Sequence, residues 1–133
     1  MQLIDHVSIT VRQLSDVQAF YEAIMQVLGA NVAYREVDAI GFGERNSGQD
    51  ASHSYLSVFE SSAAQADPRR HYCLRATSCE AVRAFHAAAL ANGGQCAGAP
   101  SLRHYHPEYF AAFVLDPEGN KIEAVFHHAI SKP

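Results

Sequence analysis

Apolar positions along this chain follow two rhythms in turn, and the switches between them predict the elements. From residue 3 to 11 the apolar side chains Leu3, Val7, Ile9 and Val11 keep to every second position, interrupted by Asp5, the period of a strand with one buried face. Val17, Phe20, Ile24 and Leu28 then recur at helical spacing, with Ser15 placed to cap the helix start and Gly29 to end it. Strand-like alternation returns at 31–36, 39–44 and 55–60. A small, polar stretch at 61–70 follows and reads as a linker.

The same order then repeats. A strand at 71–76 leads to a helix with Ser78 as cap, Val82, Phe85 and Leu90 as its stripe, and Gly93 and Gly94 as its stop. Further strands are predicted at 96–102, 111–115 and 121–126, the last two joined by the turn Asp116-Pro117-Glu118-Gly119-Asn120. A shift of 65 residues lays His6 on His71, Val17 on Val82, Phe20 on Phe85 and Gly29 on Gly94. The pattern predicts an α+β fold of two βαβββ modules with a curved mixed sheet. One domain spans 1–133, divided into module 1 (1–60), the linker (61–70) and module 2 (71–128).

Alternation also assigns faces. Leu3, Val7, Ile9 and Val11 suit the helix side of the first strand, leaving His6, Ser8 and Thr10 on the other. On the fifth strand Tyr72, Leu74 and Ala76 go to the helix, and His71, Cys73 and Arg75 face away. On the last, Glu123 joins the polar side. His6, His71 and Glu123 are thus expected in one polar concavity. Two imidazoles and a carboxylate form a donor set for a divalent Zn, Ni, Fe, Mn or Co ion, with positions left open for water or substrate.

Composition narrows the partners. A net charge of -4 leaves no basic surface for a nucleic-acid backbone, and a small-molecule substrate is the better expectation. The opening residues carry no basic region followed by an apolar run, and no stretch reaches the roughly 18 apolar residues a membrane span needs, so a cytoplasmic protein without membrane contact is expected. Cys73, Cys79 and Cys96 lack metal-knuckle spacing and read as small buried hydrophobes.

Three segments carry a resemblance: IDHVSITVRQLSDVQAFYEAIMQVLGA, HYCLRATSCEAVRAFHAAALANGG and AAFVLDPEGNKIEAVFH. They resemble the vicinal-oxygen-chelate superfamily of glyoxalase I, bleomycin and fosfomycin resistance proteins and extradiol dioxygenases. The resemblance implies paired βαβββ modules, metal ligands at His6, His71 and Glu123, and a homodimer that completes the cavities. It also implies a fourth ligand on the fourth strand, and there this chain departs from the pattern. By the 65-residue shift Glu123 falls on Val58, which cannot ligate. The inward row is His53, Tyr55, Ser57 and Phe59, so His53 is the donor if the strand starts early; otherwise Tyr55 or Ser57 meets the substrate instead. A three-ligand site is either more open to a chelating substrate or too weak to keep its metal.

The implied activity is that of a glyoxalase I-like (lactoylglutathione lyase-related) metal-dependent lyase or isomerase. It acts on a small vicinal-oxygen substrate by metal-assisted proton transfer, with Glu123 as base. The alternatives are a metal-free small-molecule binding protein of the antibiotic-resistance type and, third, an extradiol-type dioxygenase. The segment 102–110, rich in His and aromatics, places Tyr105 and His106 to supply a proton, and His104 and Tyr109 to contact substrate or pack on the sheet rim. Arg75 either holds a substrate carboxylate or pairs with Glu123. His86, His127 and His128 read as solvated.

Overall fold

Each half of the chain lays a strand, crosses over by a helix and returns as a three-stranded antiparallel run. In the computed structural model, which describes residues 1–128, the elements are β1 (His6–Val11), α1 (Leu14–Leu28), β2 (Val32–Glu36), β3 (Ala39–Gly43), β4 (Tyr55–Glu60), β5 (His71–Arg75), α2 (Cys79–Ala91), β6 (Gln95–Leu102), β7 (Phe110–Leu115) and β8 (Lys121–Phe126). They form two mixed four-stranded sheets, ordered β1-β4-β3-β2 and β5-β8-β7-β6. In each, the first strand pairs in parallel with the last, the arrangement a helical crossover permits. Neither sheet closes on itself. No described helix is long and apolar enough to cross a membrane.

The strand registers correct the repeat. Ser8 pairs with Ser57 in the first sheet, and Cys73 pairs with Glu123 in the second. The counterpart of Glu123 is therefore Ser57, not Val58: the modules are offset by 65 at their first strands and by 66 at their last. A one-residue slip would turn every side chain of the strand to the opposite face, so this difference decides which residue looks inward.

Most of the predicted helix stripes make the core: Val17, Phe20 and Ile24 of α1 and Val82 and Phe85 of α2 are fully buried, joined by Tyr21 and Ala89, in one apolar cluster that takes in both helices and both sheets. Leu90, expected in the α2 stripe, is 44% exposed, because Ala89 one position earlier holds the inward place on that turn. The close approach explains Gly94: a Cβ there would lie 2.6 Å from the Phe20 ring and 2.8 Å from the Ala89 carbonyl oxygen. Tyr21 also ties the modules by polar means, donating to Asp116 Oδ2 at 2.6 Å. Asp116, itself buried, accepts from the backbone N–H groups of Glu118 and Asn120 and so shapes the β7–β8 turn.

Three local expectations change. β1 starts at His6 because its partner β4 starts opposite, at Tyr55, and Leu3, expected on the helix side, is 78% exposed. Helix α1 starts at Leu14 with Gln13 as N-cap and no side-chain cap of its own; Ser78, by contrast, accepts from the Ala81 N–H as expected. Ser15 is displaced as a cap because remote carboxylates serve the helix start. Glu118 accepts from the N–H groups of Arg12 and Gln13, and Glu60 from that of Leu14. Of the three cysteines only Cys79 is buried, while Cys73 and Cys96 are exposed, Cys73 because it stands on the helix-free face of an edge strand.

Candidate active site

The helix-free face of the second sheet gathers the strongest polar constellation. Glu123, in β8, is only 3% exposed, yet both of its carboxylate oxygens are engaged. His71 Nε2 lies 3.2 Å from Oε1, and the Tyr109 hydroxyl donates to Oε2 at 2.5 Å. Burial and the Glu123 carboxylate push the Tyr109 phenol well above its ordinary range, so it stays protonated as a donor. Cys73, beside Glu123 on the pairing strand, keeps surface exposure, but the groups crowded around its thiol withdraw it partly from water, and this together with the Glu123 charge pushes it up to about 12. It is a neutral thiol, not a nucleophile.

In the first sheet Ser57, not a carboxylate, stands at the position equivalent to Glu123. His6 stacks on Tyr55 with ring centroids 4.8 Å apart, and its Nδ1 lies 2.6 Å from Asp5 Oδ1. Hydrogen bonds from His6 and Asn46 hold the Asp5 carboxyl below its usual range, and with Nδ1 turned to Asp5, Nε2 of His6 has no hydrogen-bond partner among the described residues. Ser57 is buried and accepts from the Tyr34 hydroxyl at 2.6 Å. The Tyr34 ring covers Gly41, where a Cβ would stand 2.1 Å from a ring carbon. Arg45 lies 4.5 Å from the centre of that ring and 5.5 Å from the Tyr55 ring. His53 stands before β4, between Asp50 on its Nε2 and Glu44 on its Nδ1.

The loop before β7 divides the roles expected of it. Tyr105 is 69% exposed and packs edge-on against Tyr109, and His104 is exposed on the same turn. His106 turns toward β8, with Nε2 2.9 Å from His127 Nδ1. His127 is therefore part of the constellation and not simply solvated, and burial, His106 and Arg75 push it below its ordinary value. Arg75 does not pair with Glu123: His71 and Tyr109 fill both carboxylate oxygens, and no described residue makes a hydrogen bond or ion pair with its guanidinium. His86 also departs from the solvated reading, since its Nε2 is buried without a hydrogen-bond partner.

The sequence model described as the Glyoxalase/Bleomycin resistance protein/Dioxygenase superfamily matches residues 3–124. The chain belongs to that superfamily. Among solved structures, this superfamily member is similar to a glyoxalase/bleomycin resistance protein from Albidiferax ferrireducens T118, at 26% identity and a TM-score of 0.76 over 93% of this chain and 98% of the other. A glyoxalase/bleomycin resistance protein/dioxygenase family enzyme from Burkholderia phytofirmans PsJN shares the fold at 20% identity, with a TM-score of 0.66 over 91% and 95% of the two chains. So does a glyoxalase-related enzyme from Fulvimarina pelagi, at 15% identity and 0.68 over 96% and 89%. No curated protein matches the chain.

Superfamily members commonly use divalent metals, and the donor types here suit one: His6 with a free Nε2, and His71 beside Glu123. They stand on different sheets, however, and among the described residues no three His, Cys, Asp or Glu are grouped to hold an ion. One chain of this glyoxalase-superfamily protein thus presents a two-donor half-site and a separate imidazole, which do not fit a resident metal on their own. His127 and the Tyr109–Glu123 bond are the features that sequence reasoning missed. The alternate row Lys121, Glu123, Val125 already pointed to His127, since it continues the same parity past the end of β8.

Proposed function

We propose that this protein is a glyoxalase-like lyase or isomerase that moves a proton between neighbouring carbons of a small vicinal-oxygen substrate. The observation that carries the reading is the buried Glu123 carboxylate with His71 and Tyr109 on its two oxygens. Burial keeps bulk water from the carboxylate, and two fixed donors hold it in one orientation toward a bound substrate. In this reading the substrate displaces the Tyr109 hydroxyl from Oε2, Glu123 takes the proton and returns it to the adjacent carbon, and Tyr109 then donates to the substrate oxygen. Tyr55 and Ser57 contact substrate from the first sheet, and His104, Tyr105 and His106 flank it from the loop.

The proposal assigns no step to a metal. If an ion is used, its third donor is His6, and a homodimer that sets the His6 face of one copy against the His71–Glu123 face of another would supply it. Glu123→Gln is expected to lower kcat/KM by about 10²- to 10⁴-fold in proton exchange or isomerisation of hemithioacetals and related 2-hydroxycarbonyl compounds. Retention of activity in this variant would remove the reading. Metal content of chelator-free, untagged protein, measured with its oligomeric state, tests the shared site: stoichiometric metal in a dimer, lost in both His6→Ala and His71→Ala, is the expected outcome for a metal-dependent enzyme.

A metal-free binding protein is the second reading, favoured by the fact that Glu123 and Ser57 are already satisfied within the chain. It predicts ligand-dependent thermal shifts without turnover.

A further inference from the structure

Arg75 closes β5, and His127 follows Phe126 at the end of β8, which runs parallel to β5. The two side chains therefore meet at the same end of the sheet. Between them opens a cavity of about 410 Å³, lined also by His106, Glu108, Phe126 and His128. Neither His71 nor Glu123 lines it.

The hydrogen bonds fix which nitrogen of each imidazole carries a proton. The backbone N–H of Glu108 donates to His106 Nδ1 at 3.1 Å, so that nitrogen is an acceptor. The proton of neutral His106 is then on Nε2 and is donated to His127 Nδ1, 2.9 Å away. With its Nδ1 accepting, neutral His127 carries its own proton on Nε2, and no described residue accepts it. The cavity thus meets an N–H donor of fixed tautomer and a guanidinium without a described partner. Its carboxylate, Glu108, has His128 Nδ1 4.0 Å from Oε2.

We infer that this cavity is an oxyanion subsite in which Arg75 and His127 Nε2–H hold a carboxylate or phosphate group of a small ligand. Arg75 supplies charge and a planar fork, and the Glu108–His106–His127 chain supplies a donor that needs no reorganisation when the anion arrives. Arg75 pairs with Val125, one two-residue step beyond the Cys73–Glu123 rung. By the usual rise per residue the Arg75 rung lies roughly 7 Å along the strands from Glu123 and His127 roughly 13 Å, so an oxyanion held between them would lie about 10 Å away. A substrate reaching both points carries its acid group several bonds from the reacting carbon. That last consequence rests on the proposed function, whereas the subsite itself does not.

Nitrogen-15 NMR of the histidine and arginine side chains tests the subsite, with acetate and inorganic phosphate titrated separately into the full-length protein in chloride buffer at pH 7.5. The expected result is a free-state signal for His127 with Nε2 protonated, and saturable shifts at His127 Nε2 and Arg75 Nε. Arg75→Gln and His127→Gln should each weaken binding about tenfold or more, the scale of a charge-assisted hydrogen bond, and Glu108→Gln should strengthen it. Saturation by acetate alone assigns a carboxylic acid, and saturation by phosphate alone a phosphate ester. Failure of both to saturate, or equal affinity in Arg75→Gln protein that keeps the wild-type backbone spectrum, would overturn the proposal. Glu123→Gln should leave anion binding intact, so loss of the proton-transfer reading and loss of the subsite are separable outcomes.

Discussion

The Tyr109 hydroxyl and Glu123 Oε2 form the tightest polar contact of the second sheet, 2.5 Å apart, with the phenol as donor. Glu123 is almost without solvent, so this bond and the one to His71 replace the water the carboxylate gave up. Phe113, the cross-strand neighbour of Glu123, packs edge to face on His71 at 5.9 Å and limits where that ring can turn.

Removing the donor while leaving the acceptor buried costs more than the bond contributes. Tyr109→Phe is expected to lower unfolding free energy by about 1–3 kcal/mol. Urea denaturation at neutral pH measures it; a variant as stable as the wild type would mean that water reaches Oε2.

His127 makes stability depend on pH. Its folded value lies below the ordinary 6.5 because burial, His106 and Arg75 disfavour the charged ring. The unfolded chain therefore binds the proton more readily, and stability rises with pH across the interval between the two values. This contribution is complete above 6.5 and is progressively lost as pH falls toward the lower folded value. Thermal melts from pH 5 to 8 should show His127→Gln with a weaker acid-side decline than the wild type.

The start of α1 offers a paired test. Glu118→Ala removes the acceptor from two backbone N–H groups and is expected to cost about 0.5–2 kcal/mol, the usual range for a lost cap. Ser15→Ala should be near neutral, because Ser15 is not the cap. Equal effects in chemical denaturation would contradict the assignment of the cap to the β7–β8 turn.

His86 holds a buried ring nitrogen without a partner on α2. Replacing it by an apolar side chain of similar size removes a desolvation cost, so His86→Leu is expected to raise stability by about 1 kcal/mol. A fall in melting temperature would show that an unseen partner, such as a water, satisfies Nε2 in the native protein.

Much of the site can be read from the chain because a strand's period is fixed by chemistry. The side on which His6, His71, Arg75 and Glu123 lie follows from alternation alone, and so does that of Glu60, which shares the parity of Leu56 and Val58 and accepts from Leu14 at the helix start. The register between strands is different. Nothing local to residues 55–60 says that Ser57 stands where Glu123 stands in the other module, because the single extra residue lies elsewhere in the chain and is felt only through pairing.

By itself, then, the sequence determined two βαβββ modules, their helical core stripes and the polar rows of their first and last strands, since each follows from the spacing of side chains along one segment. Only the tertiary structure decided that Tyr109 reaches Glu123, that His106 locks the tautomer of His127, that Glu118 caps α1, and that His6 and His71 stand on different sheets. Those are contacts between segments. Their geometry depends on how the two sheets and two helices pack, which no periodicity within one strand or helix encodes.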